Sequence, residues 1–441
     1  MVPSHAAPIA GIRGTYLLKR RSFVLGGAVA GSAAVLAAWR FWPEQGIWNP
    51  CLGPLPRRLA EHELVKAAWE GVDAARVWDV HAHLVGVGDS SSGIRLNPRI
   101  NSLLAPAEYA RRVFFLNAGC AHAAPGSVDA AYVERLHGLI DALPRGVKIM
   151  LYAFERSFNS KGEIVWDDTA VYVPDAYVRA AAGRYPQAFE WVASIHPYRR
   201  DCVEALEEAR RTGARAVKWL PAAMGMDPAS PLCDRFYAAA ARLDLPLVSH
   251  AGLERAVNGS DVQEYGNPLR LRRALDAGVR VIVAHCASMG QDRDLDKGAS
   301  GPYVDSFELF ARMMQESRHA GRLFGDISAM TQTNRAGTAL ARTILAQEWH
   351  PRLLNGSDYP LPGLMPIFSV DYIVSLGLLE PAAAPVLREI RAHNPLLFDF
   401  VLKRSVRAGG KRLPVSIFET RAFFENLSSR ATRDTKASAP S

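Results

Sequence analysis

The stretch VWDVHAH occupies residues 77–83, and its first half alternates apolar and polar residues, the pattern of a β-strand. Side chains at i and i+2 of a strand share a face, so His81 and His83 are predicted to point the same way, with Asp79 one pleat deeper. Two imidazoles at the end of a buried strand can bind one metal ion. The same residues would also suit a strand that simply ends in polar side chains. The metal hypothesis therefore requires further ligands from other strands.

Strand-like and helix-like segments alternate through most of the chain after this stretch. The predicted strands cover residues 77–83, 147–154, 189–195, 214–220, 246–250, 279–285, 323–328 and 352–356. Strands separated by helices pair in parallel, and eight of them match a (β/α)8 TIM barrel. In that fold the chemistry lies at the C-terminal ends of the strands. Residues 84–146 exceed a normal connection, so we expect them to form a cap over the barrel mouth.

The predicted organisation of the whole chain has a flanking segment on each side of the barrel. We expect an export signal or anchor over 1–42, a linker and leading helix over 43–72, the barrel with its cap over 73–400, and a C-terminal helix with a disordered tail over 401–441. The tail is rich in Ser, Thr, Ala and Lys, which favours disorder.

The N-terminal segment carries a pattern typical of targeting. Lys19, Arg20 and Arg21 precede Ser-Phe-Val-Leu and an apolar, small-residue run that ends at Ala38. A charged segment before a short apolar stretch is typical of an export signal, and the arginine pair resembles the twin-arginine signal that bacteria use for folded proteins. The alternative is an uncleaved membrane anchor. We therefore expect a periplasmic protein, or one tethered to the membrane on that side, with the export machinery as a partner.

Composition excludes several other classes. The 441 residues are 49% hydrophobic and 22% charged, which is ordinary for a globular protein. The net charge of +8 comes from scattered Lys and Arg without a long basic run, so we expect no nucleic-acid binding. The five cysteines are odd in number and contain no C-x-x-C spacing, so we expect neither a disulfide framework nor a zinc-thiolate site.

Three further polar residues follow the ends of predicted strands. His250 ends the fifth strand, His285 ends the sixth, and Asp358 follows the eighth. In a closed barrel they converge on one mouth with His81 and His83. Several imidazole nitrogens and a carboxylate around one point suit Zn²⁺ or a similar divalent metal, with a coordination position left for water.

These motifs together resemble the amidohydrolase superfamily. The resemblance rests on His81-x-His83, the strand-end His250 and His285, and GSDYP at 356–360, and it covers roughly residues 77–397. The segment AVKWLP at 216–221 is similar to the amidohydrolase-related branch, which includes lactone hydrolases and nonoxidative decarboxylases of aromatic acids. The resemblance implies that one metal is held by His81, His83, His250 and Asp358. It places His285 beside the water on that metal.

The resemblance implies a metal-dependent hydrolase that attacks an ester, lactone or amide carbonyl of a small molecule. Asp358 or His285 would take the proton from water and return it to the leaving group. The alternative is a metal-dependent decarboxylase of a small unsaturated or aromatic acid. A third hypothesis is an exported barrel that binds a ligand without turning it over.

Lys218 leaves the number of metals open. It lies in the fourth strand, where binuclear relatives carry a carboxylated lysine, and there it would bring the count to two metals. It could also bind an anionic substrate directly. Arg156 and Arg199 follow the second and third strands and could each grip a substrate carboxylate. Weaker candidates are Glu155, His196 and Asp326 near strand ends, Cys286, which we expect to face away from the site, and His122 and His137 in the cap, which we expect at the surface.

Overall fold

The computed structural model describes residues 45–122 and 124–425. The predicted export signal and the tail after residue 430 lie outside these described residues. Every element presented below belongs to the compact unit Ile47–Ser441.

The predicted (β/α)8 barrel is confirmed, and each of the eight predicted strands is present in a shorter form. The barrel strands are β1 Trp78–His83, β2 Lys148–Tyr152, β3 Phe189–Val192, β4 Val217–Trp219, β5 Leu247–His250, β6 Val281–Ala284, β7 Leu323–Asp326 and β8 Leu353–Leu354. All neighbouring pairs are parallel, in the orders β1-β2-β3 and β4-β5-β6-β7-β8. Parallel bridges from Ala193 to Val217 and from Ala82 to Tyr359 close the ring.

Helices precede, connect and follow the barrel strands. Those of the described residues are α1 Arg57–Ala60, α2 Glu63–Trp69, α3 Pro106–Ala118, α4 Val128–Asp141, α5 Asp175–Arg184, α6 Cys202–Arg211, α7 Pro221–Met224, α8 Asp234–Arg242, α9 Arg272–Asp276, α10 Ser306–Gln315, α11 Thr338–Leu345, α12 Val370–Ser375, α13 Ala384–His393 and α14 Pro395–Ser405. The predicted leading helix divides into α1 and α2 because the side chain of His62 accepts a hydrogen bond from the Leu64 amide and caps α2. No helix within the described ranges is long and apolar enough to cross a membrane.

Two apolar layers position the barrel mouth. One cluster takes alternate side chains from the strands, among them Val80, Met150, Val248 and Ile282, and fills the barrel interior. The larger cluster packs the opposite strand faces against the helices. Since each strand alternates between the two layers, its last inward residue points into the mouth.

One disulfide contradicts the expectation drawn from the cysteine count. Cys51 and Cys120 are joined, with their Cα atoms 5.6 Å apart and a sequence separation of 69 residues. Asn49 and Asn117 bring these segments together through reciprocal hydrogen bonds of 2.8 and 3.1 Å between backbone and side-chain amide groups. The linker therefore packs on the end of α3, a long-range contact that cysteine spacing does not reveal.

Candidate active site

A β-bulge in β1 aims its two histidines into the barrel mouth. The register with β2 shifts between Asp79 and Ala82, so the inward face passes from Val80 to His81 and then His83. The prediction that Asp79 shares the face of the histidines is therefore wrong. Asp79 instead accepts hydrogen bonds from the backbone amides of His81 and Ser357, at 3.1 and 2.8 Å.

Three ligand atoms lie together at the mouth. His81 Nε2 is 3.3 Å from His83 Nε2 and 3.4 Å from Asp358 Oδ1, and His83 Nε2 is 3.2 Å from the same carboxylate oxygen. Ligands bound about 2.0–2.1 Å from a tetrahedral Zn²⁺ are about 3.3 Å apart. The three atoms therefore have the separations of one face of a tetrahedral metal site.

Asp358 is ionised in this setting. Burial by itself would raise its pKa, but the facing imidazoles of His285, His81 and His83 outweigh burial and hold the pKa well below its usual range. Its backbone adopts the left-handed region, with φ 62°, which is strained for a residue other than glycine. The carboxylate thus reaches the histidines through an unfavourable backbone conformation, a feature common at functional sites.

His285 stands on the other side of Asp358. Its Nε2 lies 3.7 Å from Asp358 Oδ2, and ligand atoms of His81, His285 and Asp358 all lie within 4.8 Å of one another. Its Nδ1 donates to the carbonyl oxygen of Ser328 at 3.0 Å, which leaves Nε2 as an acceptor. Burial lowers the pKa of His285 to about 3, so the imidazole is neutral at pH 7.

Asp326, at the end of β7, accepts hydrogen bonds from both His81 and His285. Its Oδ2 accepts from His81 Nδ1 at 2.9 Å, and its Oδ1 accepts from the backbone amide of His285 at 3.1 Å. Burial would raise its pKa, yet His81 and His285 together with these hydrogen bonds hold it below the usual range. Burial also lowers the pKa of His81 to about 4. His81 is therefore neutral, with Nε2 directed at Asp358.

His250 lies beside this group. Its ring centroid is 5.4 Å from that of His285, and Nδ1 is 3.3 Å from Glu254 Oε2 without hydrogen-bond alignment. Nε2 has no hydrogen-bond partner among the described residues. Burial lowers the pKa of His250 well below its usual value. A buried neutral imidazole with an unpaired nitrogen is suited to a metal ligand.

Two buried cations face the same space. Lys218 Nζ lies 3.2 Å from His81 Nε2, and burial lowers the lysine pKa to about 8. Arg335 is 7% exposed, and its Nε has no hydrogen-bond partner among the described residues. Neither cation forms an ion pair within 4.0 Å with a carboxylate of the described chain. Buried cations without such a partner are costly, so both are available to an anionic ligand.

These groups open into a cavity of about 280 Å³. Its floor contains His83, Lys218, His250, His285 and Asp358. Apolar side chains from the loops complete the wall, and the segment predicted as a cap contributes through α3. The lining outside the floor includes Leu84, Arg111, Phe115, Phe154, Arg255, Met289, Leu364 and Ile367. The cavity combines an apolar wall with cations at its floor and rim.

The structure does not bring the predicted Arg156 and Arg199 into this cavity. Glu155, which is 3% exposed, accepts from Arg156 Nε at 2.9 Å and from Arg199 Nη1 at 2.5 Å. The two guanidinium groups therefore neutralise one buried carboxylate. His196 is likewise structural, because its Nε2 donates to the carbonyl oxygen of Met224 at 3.1 Å.

The remaining weak candidates lie away from the cavity floor. The thiol of Cys286 is buried and donates to the carbonyl oxygen of Asp326 at 3.3 Å. His122 is exposed, and His137 stacks on Tyr185 with ring centroids 4.0 Å apart. Sequence reasoning missed Arg335 and Glu254, since each follows a strand end by several residues in a loop without a recognisable motif.

A family model decides what kind of protein has this site. The model of the amidohydrolase family matches residues 78–396, about 72% of the chain (319 of 441 residues). The chain belongs to the amidohydrolase family. The predicted resemblance is thereby confirmed, and the group formed by His81, His285 and Asp358 in this amidohydrolase could hold a metal ion. No curated protein matches the chain.

Solved structures with the same fold are distant in sequence. An uncharacterized TIM-barrel protein from Bordetella bronchiseptica is 17% identical, with 71% of this chain and 99% of that chain covered and a TM-score of 0.42. A probable 2-pyrone-4,6-dicarboxylic acid hydrolase from Acinetobacter baumannii is 14% identical, with 68% and 91% covered and a TM-score of 0.40. A 5-carboxyvanillate decarboxylase from Novosphingobium aromaticivorans with bound manganese is 12% identical, with 68% and 91% covered and a TM-score of 0.37.

Proposed function

We propose that this amidohydrolase is a hydrolase that binds one divalent metal ion, Zn²⁺ first among the candidates, and cleaves an ester, lactone or amide bond of a small anionic molecule. The observation that carries the proposal is the spacing of His81 Nε2, His83 Nε2 and Asp358 Oδ1 at 3.2–3.4 Å from one another. His250, with an unpaired buried nitrogen, is the proposed fourth protein ligand.

The side chains around the proposed metal site transfer the proton and stabilise the charge that forms. A divalent ion lowers the pKa of water towards about 7 and supplies a nucleophile at neutral pH. His285 takes the proton at Nε2, because the hydrogen bond from Nδ1 to the Ser328 carbonyl leaves that nitrogen as the acceptor. The Asp358 carboxylate, 3.7 Å away, stabilises the imidazolium that forms. His285 then returns the proton to the leaving group.

Lys218 and Arg335 support the anionic character of the proposed substrate. Both are buried and line the cavity, and neither has a carboxylate partner among the described residues. The guanidinium of Arg335 can form two parallel hydrogen bonds to a carboxylate. Arg335→Met should therefore raise the KM of an anionic substrate about 10-fold or more and leave metal content unchanged. An equal loss with a neutral analogue would contradict this role.

Elemental analysis of protein purified without added metal tests the metal site. We expect about one equivalent per chain in the wild type and a loss in Asp358→Ala, with Asp292→Ala as a buried control. Two equivalents would instead support carboxylation of Lys218, which its lowered pKa and its position 3.2 Å from His81 favour. Absence of metal from both preparations, with none taken up on addition, would contradict the proposed function.

Decarboxylation of an aromatic or unsaturated acid is the second candidate. The apolar wall formed by Phe115, Phe154 and Leu364 can pack against a ring, and Arg335 can orient its acid group. His285 Nε2 would first take a proton from solvent water and then deliver it to the ring carbon from which CO2 leaves. Release of CO2 without net uptake of water distinguishes this reaction from hydrolysis. Metal-dependent ligand binding without any product in either assay would favour the third hypothesis, a binding protein.

We also propose that the protein is exported, and the disulfide supports this. Disulfides persist in the periplasm and are rare in the cytosol, so the bond between Cys51 and Cys120 suits an exported protein. Replacing Arg20 and Arg21 by lysine should keep the protein in the cytoplasmic fraction, whereas Lys19→Arg should not. Extraction of the exported protein from membranes by alkaline carbonate would indicate no integral anchor. Unchanged export of the double variant would contradict the twin-arginine assignment.

A further inference from the structure

The C-terminal helix α14 contains a buried ion pair that contacts the turn in which Asp358 lies. Lys403 and Asp399 are each 1% exposed, and Lys403 Nζ donates to Asp399 Oδ2 at 2.7 Å. The same ammonium donates to the carbonyl oxygen of Gly356 at 2.6 Å. The match to the family model ends at residue 396, so Lys403 lies beyond it. The segment after the family match therefore contacts the site.

The turn Gly356-Ser357-Asp358 is held at each of its residues. The amide of Ser357 donates to Asp79 Oδ1 at 2.8 Å, and the amide of Asp358 donates to the carbonyl oxygen of His81 at 2.8 Å. At the third residue, Gly356, the backbone carbonyl accepts a hydrogen bond from Lys403 Nζ. A Cβ added to Gly356 would lie 2.6 Å from His81 Cβ, so the turn already presses against β1. Asp358 has a left-handed φ of 62°, which requires such support.

Fold stability does not account for a lysine at this position. Removing an ammonium from water is costly, and a buried ion pair is often no more stabilising than apolar side chains of the same volume. Two apolar side chains could fill the space of Lys403 and Asp399 in α14 without a charge to desolvate. An apolar pair could not donate to the Gly356 carbonyl, as Lys403 does. The hydrogen bond to the turn therefore explains why a lysine occupies this position.

We propose that Lys403 is a positioning residue for Asp358, acting through the Gly356 carbonyl to fix the turn that aims the Asp358 carboxylate at His81 and His83. The inference rests on the proposed function, in which Asp358 is a metal ligand. It makes α14 part of the metal site, although no side chain of α14 lines the cavity.

The test compares Lys403→Met with Arg404→Met, the neighbouring buried cation of the same helix. Arg404 is 4% exposed and donates to the carbonyl oxygens of Ala68 and Leu413, at 2.9 and 3.3 Å, remote in sequence from the turn. Two quantities are measured on each full-length protein: hydrogen exchange of the amides at 357–358, and the Kd for Zn²⁺ by competition with a chelator.

We expect Lys403→Met to accelerate exchange at 357–358 at least 10-fold and to raise the Kd for Zn²⁺ about 10- to 100-fold, the usual effect of losing an outer contact to a ligand. Arg404→Met should leave both within about twofold, with faster exchange near Ala68 instead. Lys403→Arg, which retains charge and donors, should recover much of the affinity. These contrasts separate positioning from general stabilisation.

Wild-type exchange and Kd in a folded Lys403→Met protein would overturn the inference, as would equal effects in both methionine variants. Should Lys403→Met not fold, Lys403→Gln is measured against the same outcomes. A wild type that binds no metal contradicts the proposed function. The hydrogen exchange at 357–358 then still tests whether Lys403 fixes the turn.

Discussion

Replacement of Asp326 by asparagine is expected to weaken metal binding without changing the shape of the site. The carboxylate is fully buried, with Oδ2 2.9 Å from His81 Nδ1 and Oδ1 on the backbone amides of His285 and Ser328, at 3.1 and 3.0 Å. Asparagine can keep its oxygen on the two amides, but its NH2 group then faces His81 Nδ1. That arrangement favours the tautomer with hydrogen on Nε2, which excludes a metal from that nitrogen.

Two estimates of the loss of metal affinity in Asp326→Asn agree. A hydrogen bond between an imidazole and a buried carboxylate contributes about 1.5–3 kcal/mol. Loss of an outer-shell carboxylate usually lowers metal affinity about 10- to 100-fold, or about 1.4–2.8 kcal/mol. The pKa of His81 is already lowered to about 4 by burial, and removal of Asp326 lowers it further. His81 is therefore neutral in both proteins above pH 6, so the loss should be equal at pH 6 and pH 8.

The assay is the Kd for Zn²⁺ by chelator competition at those two pH values. Asp292→Asn is the matched control, since Asp292 is 6% exposed and accepts from Ser306 Oγ at 2.7 Å. Its Kd should stay within about twofold of the wild type. A folded Asp326→Asn protein with wild-type affinity would refute the orienting role, and a loss confined to pH 6 would indicate protonation of His81 rather than a change of tautomer.

Three further changes have defined outcomes. Burial lowers the pKa of His196 to about 3, against about 6.5 when unfolded, so its neutral form stabilises the fold above pH 6.5 and this stability is lost as pH falls. Urea denaturation should show that the free energy of unfolding falls by about 2 kcal/mol more between pH 8 and pH 5 in the wild type than in His196→Gln. An equal fall in the two proteins would contradict the lowered pKa of His196. Cys51→Ser should lower the free energy of unfolding by about 2–4 kcal/mol, unlike Cys202→Ser, and reductant should mimic it in the wild type. Gly356→Ala should displace His81, destabilise the fold by about 1–3 kcal/mol and weaken Zn²⁺ binding, whereas an unaffected Kd would show that the turn can yield.

The βα alternation and the strand-end histidines could be predicted because both are local patterns. A strand of four to six residues shows its period directly, and chain order places parallel strand ends at one mouth. His81, His83, His285 and Asp358 meet there for that reason. The ordinary alternation of β1 nevertheless misassigned Asp79, because a bulge inserts one residue into the strand and reverses the inward face beyond it.

The barrel, the mouth at which its polar strand ends converge, and the family of the protein could all be inferred without a structure, since periodicity and chain order are properties of the chain. Which charged side chains form ion pairs within the protein became clear only from the folded structure. Arg156 and Arg199 are held by Glu155, whereas Arg335 and Lys218 remain for a ligand. The disulfide and the contact of Lys403 with Gly356 join segments 69 and 47 residues apart. Such pairings depend on packing between distant elements, and no local pattern encodes them.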